Sequence, residues 1–257
     1  MGFFTESFVQ QVRSIATYRA NLWFSLAAEA IPLLGLLLYL GGVFPAHEVL
    51  YGYTRADMLT YYVAGLVLTA WIPTVWWEVG ENIRSGALNT YLLRPKSYFW
   101  YFWTCQFAVN VWYTSMSLAF AGVLALIFPG SLQPPASLFH GAMFPFTALM
   151  AFQLAYQTGY LICLSAFWIE DVSGLLSVTY LVQTVACGQL FPLDFLPSWA
   201  SKVASFLPFP YWFFFPLRVY MGLPFDQVLQ GIGIAAGWIV LTGVGIKLVW
   251  IAGLRRY

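Results

Sequence analysis

Residues 98–128 read YFWYFWTCQFAVNVWYTSMSLAFAGVLALIF, a run without one Asp, Glu, Lys or Arg. A helix on the surface of a soluble protein carries polar residues at a 3.6-residue period, and a half-buried strand alternates polar with apolar. This run does neither. Roughly 20 mostly apolar residues cross a bilayer as a helix. Lipid offers the backbone no hydrogen-bond partners, so a long apolar run must satisfy its own peptide groups by coiling. The run exceeds what a straight crossing needs, which predicts tilt or projection from the bilayer.

Working outward, the same reading applies to 21–44, 59–79, 139–169, 172–191 and 228–253, giving six spanning helices. The whole chain agrees: it is 61% hydrophobic and 8% charged, with a mean hydropathy of +0.74. A soluble domain carries about 25% charged residues, and without them its surface cannot be covered. The expected fold is an all-α membrane protein, one transmembrane domain over residues 1–257, with no soluble domain.

Lys and Arg in short loops set orientation. With six spans, Arg13, Arg19, Arg84, Arg94, Lys96, Lys247, Arg255 and Arg256 fall on one side, and Arg55, Lys202 and Arg218 on the other. Both termini and the 78–97 loop are therefore expected in the cytoplasm. The first twenty residues lack the basic start, short apolar core and cleavage site of a secretory signal. Phe3, Phe4, Phe8, Val12 and Ile15 recur at near-helical spacing among polar residues, the pattern of an amphipathic helix lying on the inner leaflet. A frayed extension of the first span is the alternative.

Residues 78–97 read EVGENIRSGALNTYLLRPKS and hold five of the chain's charged residues. A polar, helix-compatible loop between two spans lies at a water interface, where a soluble molecule can reach it. Ile83, Ala87, Leu88, Tyr91 and Leu92 can form an apolar stripe on a short helix, with Arg84 and Asn89 free for polar contacts, and Pro95 stops that helix. If the stripe docks in a groove, Leu92 and Leu93 are its anchors. A solvated or membrane-lying connector is the other reading.

The stretch 191–227 holds six of the fourteen prolines: Pro192, Pro197, Pro208, Pro210, Pro216 and Pro224. It is also strongly apolar. Proline removes a helical donor and clashes with the preceding turn, so short broken helices dipping into the outer leaflet are expected. A plain hydrophobic outer loop is the alternative.

Glu29 is an acid inside the first span, where ionisable groups are costly. It is read either as a proton site or partner-helix contact, or as a leaflet-boundary residue bonded to a neighbouring helix or to Arg19. Cys105, Cys163 and Cys187 have the spacing of neither a disulfide framework nor a zinc site. Gly231, Gly233 and Gly237 line up in the last span and Gly233 and Gly237 form a Gly-x-x-x-Gly, a face that lets helices approach closely and is read as a surface for dimerisation. There is no Gly-x-x-x-x-Gly-Lys-Ser/Thr, His-Glu-x-x-His, Gly-x-Ser-x-Gly or Cys-x-x-Cys, so ATP, metal and nucleophile chemistry have no visible home. The chain is not expected to be an enzyme by itself, to hold a metal or cofactor, or to bind nucleic acid.

The loop segment Ile83-Arg84-Ser85-Gly86-Ala87-Leu88 with Leu92-Leu93-Arg94-Pro95 resembles the first cytoplasmic loop of ATP-binding-cassette type-2 export permeases, in particular a bacterial branch long listed as a domain of unknown function. The segment Gly188-Gln189-Leu190-Phe191-Pro192, Phe195-Leu196-Pro197, Leu207-Pro208-Phe209, Phe215-Pro216 and Gly222 resembles the stretch before the last span in the same branch. The resemblance implies a permease subunit in a bacterial plasma membrane, paired with a second permease chain, identical or a sister, and with two cytoplasmic ATPase subunits that carry the ATP. It implies that residues 80–97 form the coupling helix seated on the ATPase, with Glu81, Ile83, Arg84, Leu88, Tyr91, Leu92, Leu93, Arg94 and Pro95 as coupling residues. It implies an outer gate in 191–227 from Phe191, Pro192, Pro197, Pro208, Phe209 and Pro216. The rival readings are a secondary transporter driven by an ion gradient and a non-transporting membrane scaffold or sensor.

Overall fold

The computed structural model describes residues 49, 52–73, 76–93, 97–127, 132–170 and 172–257. The expected 1–20 interfacial helix, the 21–44 span, Glu29, Arg94 and Pro95 lie outside them.

The described residues are helical, with short connections and no strand. In chain order the α-helices are α1 (Arg55–Trp71), α2 (Trp76–Arg84), α3 (Leu88–Leu92), α4 (Tyr98–Ile127), α5 (Leu138–Cys163), α6 (Ser173–Ala186), α7 (Ser198–Phe206), α8 (Phe214–Tyr220) and α9 (Phe225–Leu254). Single 3-10 turns occupy Leu164–Phe167, Leu193–Phe195 and Phe209–Trp212. Three helical stretches are long and apolar enough to cross a membrane: Tyr98–Ile127, Leu138–Phe167 and Phe225–Leu254.

Helix α5 is the axis. Ala148, Ala151, Ala155 and Gly159 are buried along it, and small residues at helical spacing let neighbours approach closely. Helix α9 packs on it through Val228, Gly231, Ala235, Thr242 and Ile246, all buried. The Thr242 hydroxyl donates to Gln157 Oε1 at 2.9 Å, a polar tie inside an otherwise apolar seam. Helix α4 lies against α1, and Asn110 Nδ2 donates to the Ala70 carbonyl at 3.2 Å. Trp71 Nε1 reaches the Ala148 carbonyl at 2.7 Å.

The structure departs from the sequence expectation in two places. The apolar run 59–79 is not one helix. It ends at Trp71 ahead of Pro73 and resumes at Trp76, because proline disfavours a helical residue before it. The run 172–191 supplies a helix of only 14 residues, Ser173–Ala186. Gly188, at φ +82°, follows it, a conformation that ends helices readily when no Cβ is present. Among the described residues nothing lies against Gly233 or Gly237, whereas Gly231 seats the Phe215 ring and Gly253 the Phe167 ring.

Candidate functional site

At one end of the molecule α2, α3 and the start of α4 form a tight corner. Helix α2 runs to Arg84, and Gly86 at φ +78° then turns the chain. A glycine beyond the last helical residue reaches this left-handed conformation without steric cost. Helix α3 begins two residues later, so the loop holds two helical pieces instead of one.

Ile83 and Leu88 are 3% and 0% exposed. Both sit in a cluster with Val79, Tyr98, Phe102, Tyr160 and Leu164. Tyr91 lays its ring against Tyr98, Tyr101 and Phe102, with centroids 5.1–5.8 Å apart. Asn82 Nδ2 donates to the Tyr98 hydroxyl at 3.2 Å. These residues therefore grip the chain's own helices. The outward side carries Glu81 and Arg84, paired at 2.8 Å, with Asn89 and Thr90 exposed. Leu92 is 43% and Leu93 88% exposed. The apolar stripe foreseen on one helix is thus divided between an inner grip and an outer leucine pair.

At the other end, the segment 191–227 is a string of short helices. Its prolines do not interrupt them. Pro192, Pro197, Pro208 and Pro224 each immediately precede a helical piece, and Pro210 and Pro216 lie in first turns. There the missing N–H leaves no helical bond unmade. Pro192, Pro208 and Pro216 are buried, Phe191 and Phe209 half-buried, and Pro197 exposed. Trp212, Leu217 and Val219 are wholly buried against α5 and α1.

Tyrosines of α1 clamp this cap from below. The Tyr61 hydroxyl donates to the Gly188 carbonyl at 2.6 Å and the Tyr62 hydroxyl to the Leu190 carbonyl at 2.9 Å. A Cβ on Gly188 would crowd the Tyr61 hydroxyl, Leu193 and Phe214. Just before α1, the Tyr53 hydroxyl donates to Asp194 at 2.5 Å and accepts from Arg218 Nη1 at 3.2 Å. Asp194 and Arg218 are 3.5 Å apart and about one-third exposed. Burial and the bond to Asp194 push the Tyr53 phenol above its usual range. Sequence reasoning used Arg218 only for orientation and passed over Asp194 and Tyr53. The signal available was two opposite charges in a strongly apolar stretch, where an unpaired charge is costly.

His140 places its ring between the Ser137 hydroxyl at 2.8 Å and the Leu223 carbonyl at 3.0 Å, tying the start of α5 to the cap. Cys163 and Cys187 are buried and Cys105 half-buried, none in a disulfide.

A family model described as "ABC-2 family transporter protein" matches residues 30–257. Comparison with curated proteins and with solved structures gives no match.

Proposed function

The chain belongs to the ABC-2 transporter family, and from that premise we propose that it is the permease of an ATP-driven exporter, powered by separate ATPase subunits. The match over residues 30–257 carries this reading. The sequence supports it by having no phosphate-cradling loop of its own. We assign six spans: the three long helices, α1 continued by α2, α6, and the apolar run 21–44. Both termini and the α2–α3 corner then face the cytoplasm of a bacterium, as the Lys and Arg distribution favours.

The coupling site is the outer side of that corner. Leu92 and Leu93 are its apolar anchors, with Glu81, Arg84 and Asn89 as the polar rim and Arg94 and Pro95 closing the loop. Ile83, Leu88 and Tyr91 transmit movement because they are fixed to the start of α4 and to the 3-10 turn after α5. A rigid corner gripped from inside passes a push on its outer face to the spans. The segment 191–227, lowered into the outer leaflet, serves as the gate at the exit.

The test uses the full chain purified with candidate ATPase subunits from the same genome. Wild-type protein should retain one ATPase partner and stimulate its hydrolysis. Leu92→Asp with Leu93→Asp should weaken that association about thirtyfold, the scale of losing a docking anchor, while the permease still inserts. Undiminished association in the double variant would overturn the docking surface. Failure of the wild type to retain any ATPase, together with gradient-driven flux, would overturn the ATP-driven reading.

A further inference from the structure

Helix α9 carries one charge between Gln227 and Leu254, Lys247. At about 1.5 Å per residue, its 30 residues span about 45 Å, against a hydrocarbon core of about 30 Å. Lys247 stands about 10 Å from the C-terminal end, where its ammonium reaches headgroup level. No described acid lies within ion-pair distance of it.

Beside Lys247 is a cavity of about 370 Å³, walled by Ser97, Tyr98, Phe99, Gln157 and Trp250 among others. That volume is in the range of small-molecule sites, about 300–1,000 Å³. Its lining offers hydrogen-bond donors, Lys247 and the Gln157 amide among them. Ser97 immediately precedes α4, where the Tyr101 N–H donates to its carbonyl at 3.1 Å, and Tyr98 and Phe99 are the first residues of the helix. The positive end of a 30-residue helix favours an anion. Gln157 is 7% exposed and spends its Oε1 on Thr242, so its amide nitrogen is what it offers the cavity. Phe99 and Trp250 are apolar walls. Val244 and Ile251, on the same face of α9 as Lys247 by helical spacing, are exposed apolar residues.

We propose that this cavity seats the phosphate of an anionic membrane lipid, held by Lys247, the Gln157 amide and the start of α4, with the acyl chains along α9. The ammonium supplies the charge and the apolar flank selects an amphiphile over a free anion. Tyr91 and Leu92 also line the cavity, so the lipid touches the α2–α3 corner. The binding claim stands independently of what drives transport.

Native mass spectrometry of the full-length purified chain tests it, with equal amounts of phosphatidylglycerol and phosphatidylcholine of matched chains. The wild type should retain phosphatidylglycerol in preference by about fivefold, the worth of one lysine at an anionic surface. Lys247→Gln should abolish the preference and Lys247→Arg keep it. Lys202→Gln, on α7 at the far end, should leave it unchanged. Equal retention of both lipids by the wild type, or a preference that survives Lys247→Gln, would overturn the proposal. So would displacement of the lipid by millimolar glycerol phosphate or inorganic phosphate, since a soluble phosphate would then suffice.

Discussion

Tyr53 holds its hydroxyl between an acid and a base that lie 141 and 165 residues further along the chain. It donates a hydrogen bond to Asp194 and accepts one from Arg218. An ion pair one-third exposed to solvent is worth about 0–1 kcal/mol by itself, so the tyrosine bridge is what makes the trio count. Tyr53→Phe should cost about 1 kcal/mol, the typical loss of one hydrogen bond. Tyr53→Phe and Arg218→Ala together should be non-additive by about 0.5 kcal/mol or more. Denaturant titration of the purified chain measures both. The folded phenol lies above its unfolded value of about 10, so the protonated donor is the form the fold favours. That contribution is fully present below about pH 10 and is lost as pH rises from there through the raised folded value. Stability should therefore show no Tyr53-dependent change between neutral and mildly alkaline pH; a Tyr53-dependent loss between pH 7 and 9 would contradict the geometry.

Helix α9 is pinned near both ends by an aromatic ring lying on a glycine, Phe215 on Gly231 and Phe167 on Gly253. Gly253→Leu forces a side chain into the Phe167 ring and should cost about 1–3 kcal/mol, the range for overpacking. Gly237→Leu enters open space and should change stability by less than about 0.5 kcal/mol, as read from the same titrations. From sequence, Gly231, Gly233 and Gly237 stood out through their spacing, yet of these Gly231 is the one under a ring, and the other ring-bearing glycine of this helix, Gly253, was passed over. Spacing along one helix is local, whereas the ring that needs the gap comes from a distant element. The three long helices were legible for the opposite reason: their cause, a long apolar run with at most two charges, is local. The corner was half legible. Ser85-Gly86 after a charged turn is a helix stop, but only packing could divide Ile83 and Leu88 from Leu92 and Leu93.

Among the described residues α6 presents a broad apolar surface, with Val178, Tyr180, Leu181, Val182 and Val185 all exposed and only Leu176 and Gln183 buried. If a second permease chain pairs with this one, as the resemblance implies, this apolar face is the surface we assign to it. Leu181→Cys should give an oxidant-dependent covalent dimer in native membranes, and Lys202→Cys should not; equal yields on gel electrophoresis would remove α6 from the pairing surface. The cap has a mechanical consequence of its own. Leu196–Pro197, Leu207–Pro208 and Leu223–Pro224 are its joints, and the first two leucines are extended, with ψ of 151° and 158°, as a following proline demands. Proline has its own φ fixed near −65°, so each joint has lost two of its easy rotations. A linkage with such stiff joints can neither straighten into one helix nor fold flat. If it opens, it swings as a single body, and the work of opening falls on the tyrosine clamps that hold it down.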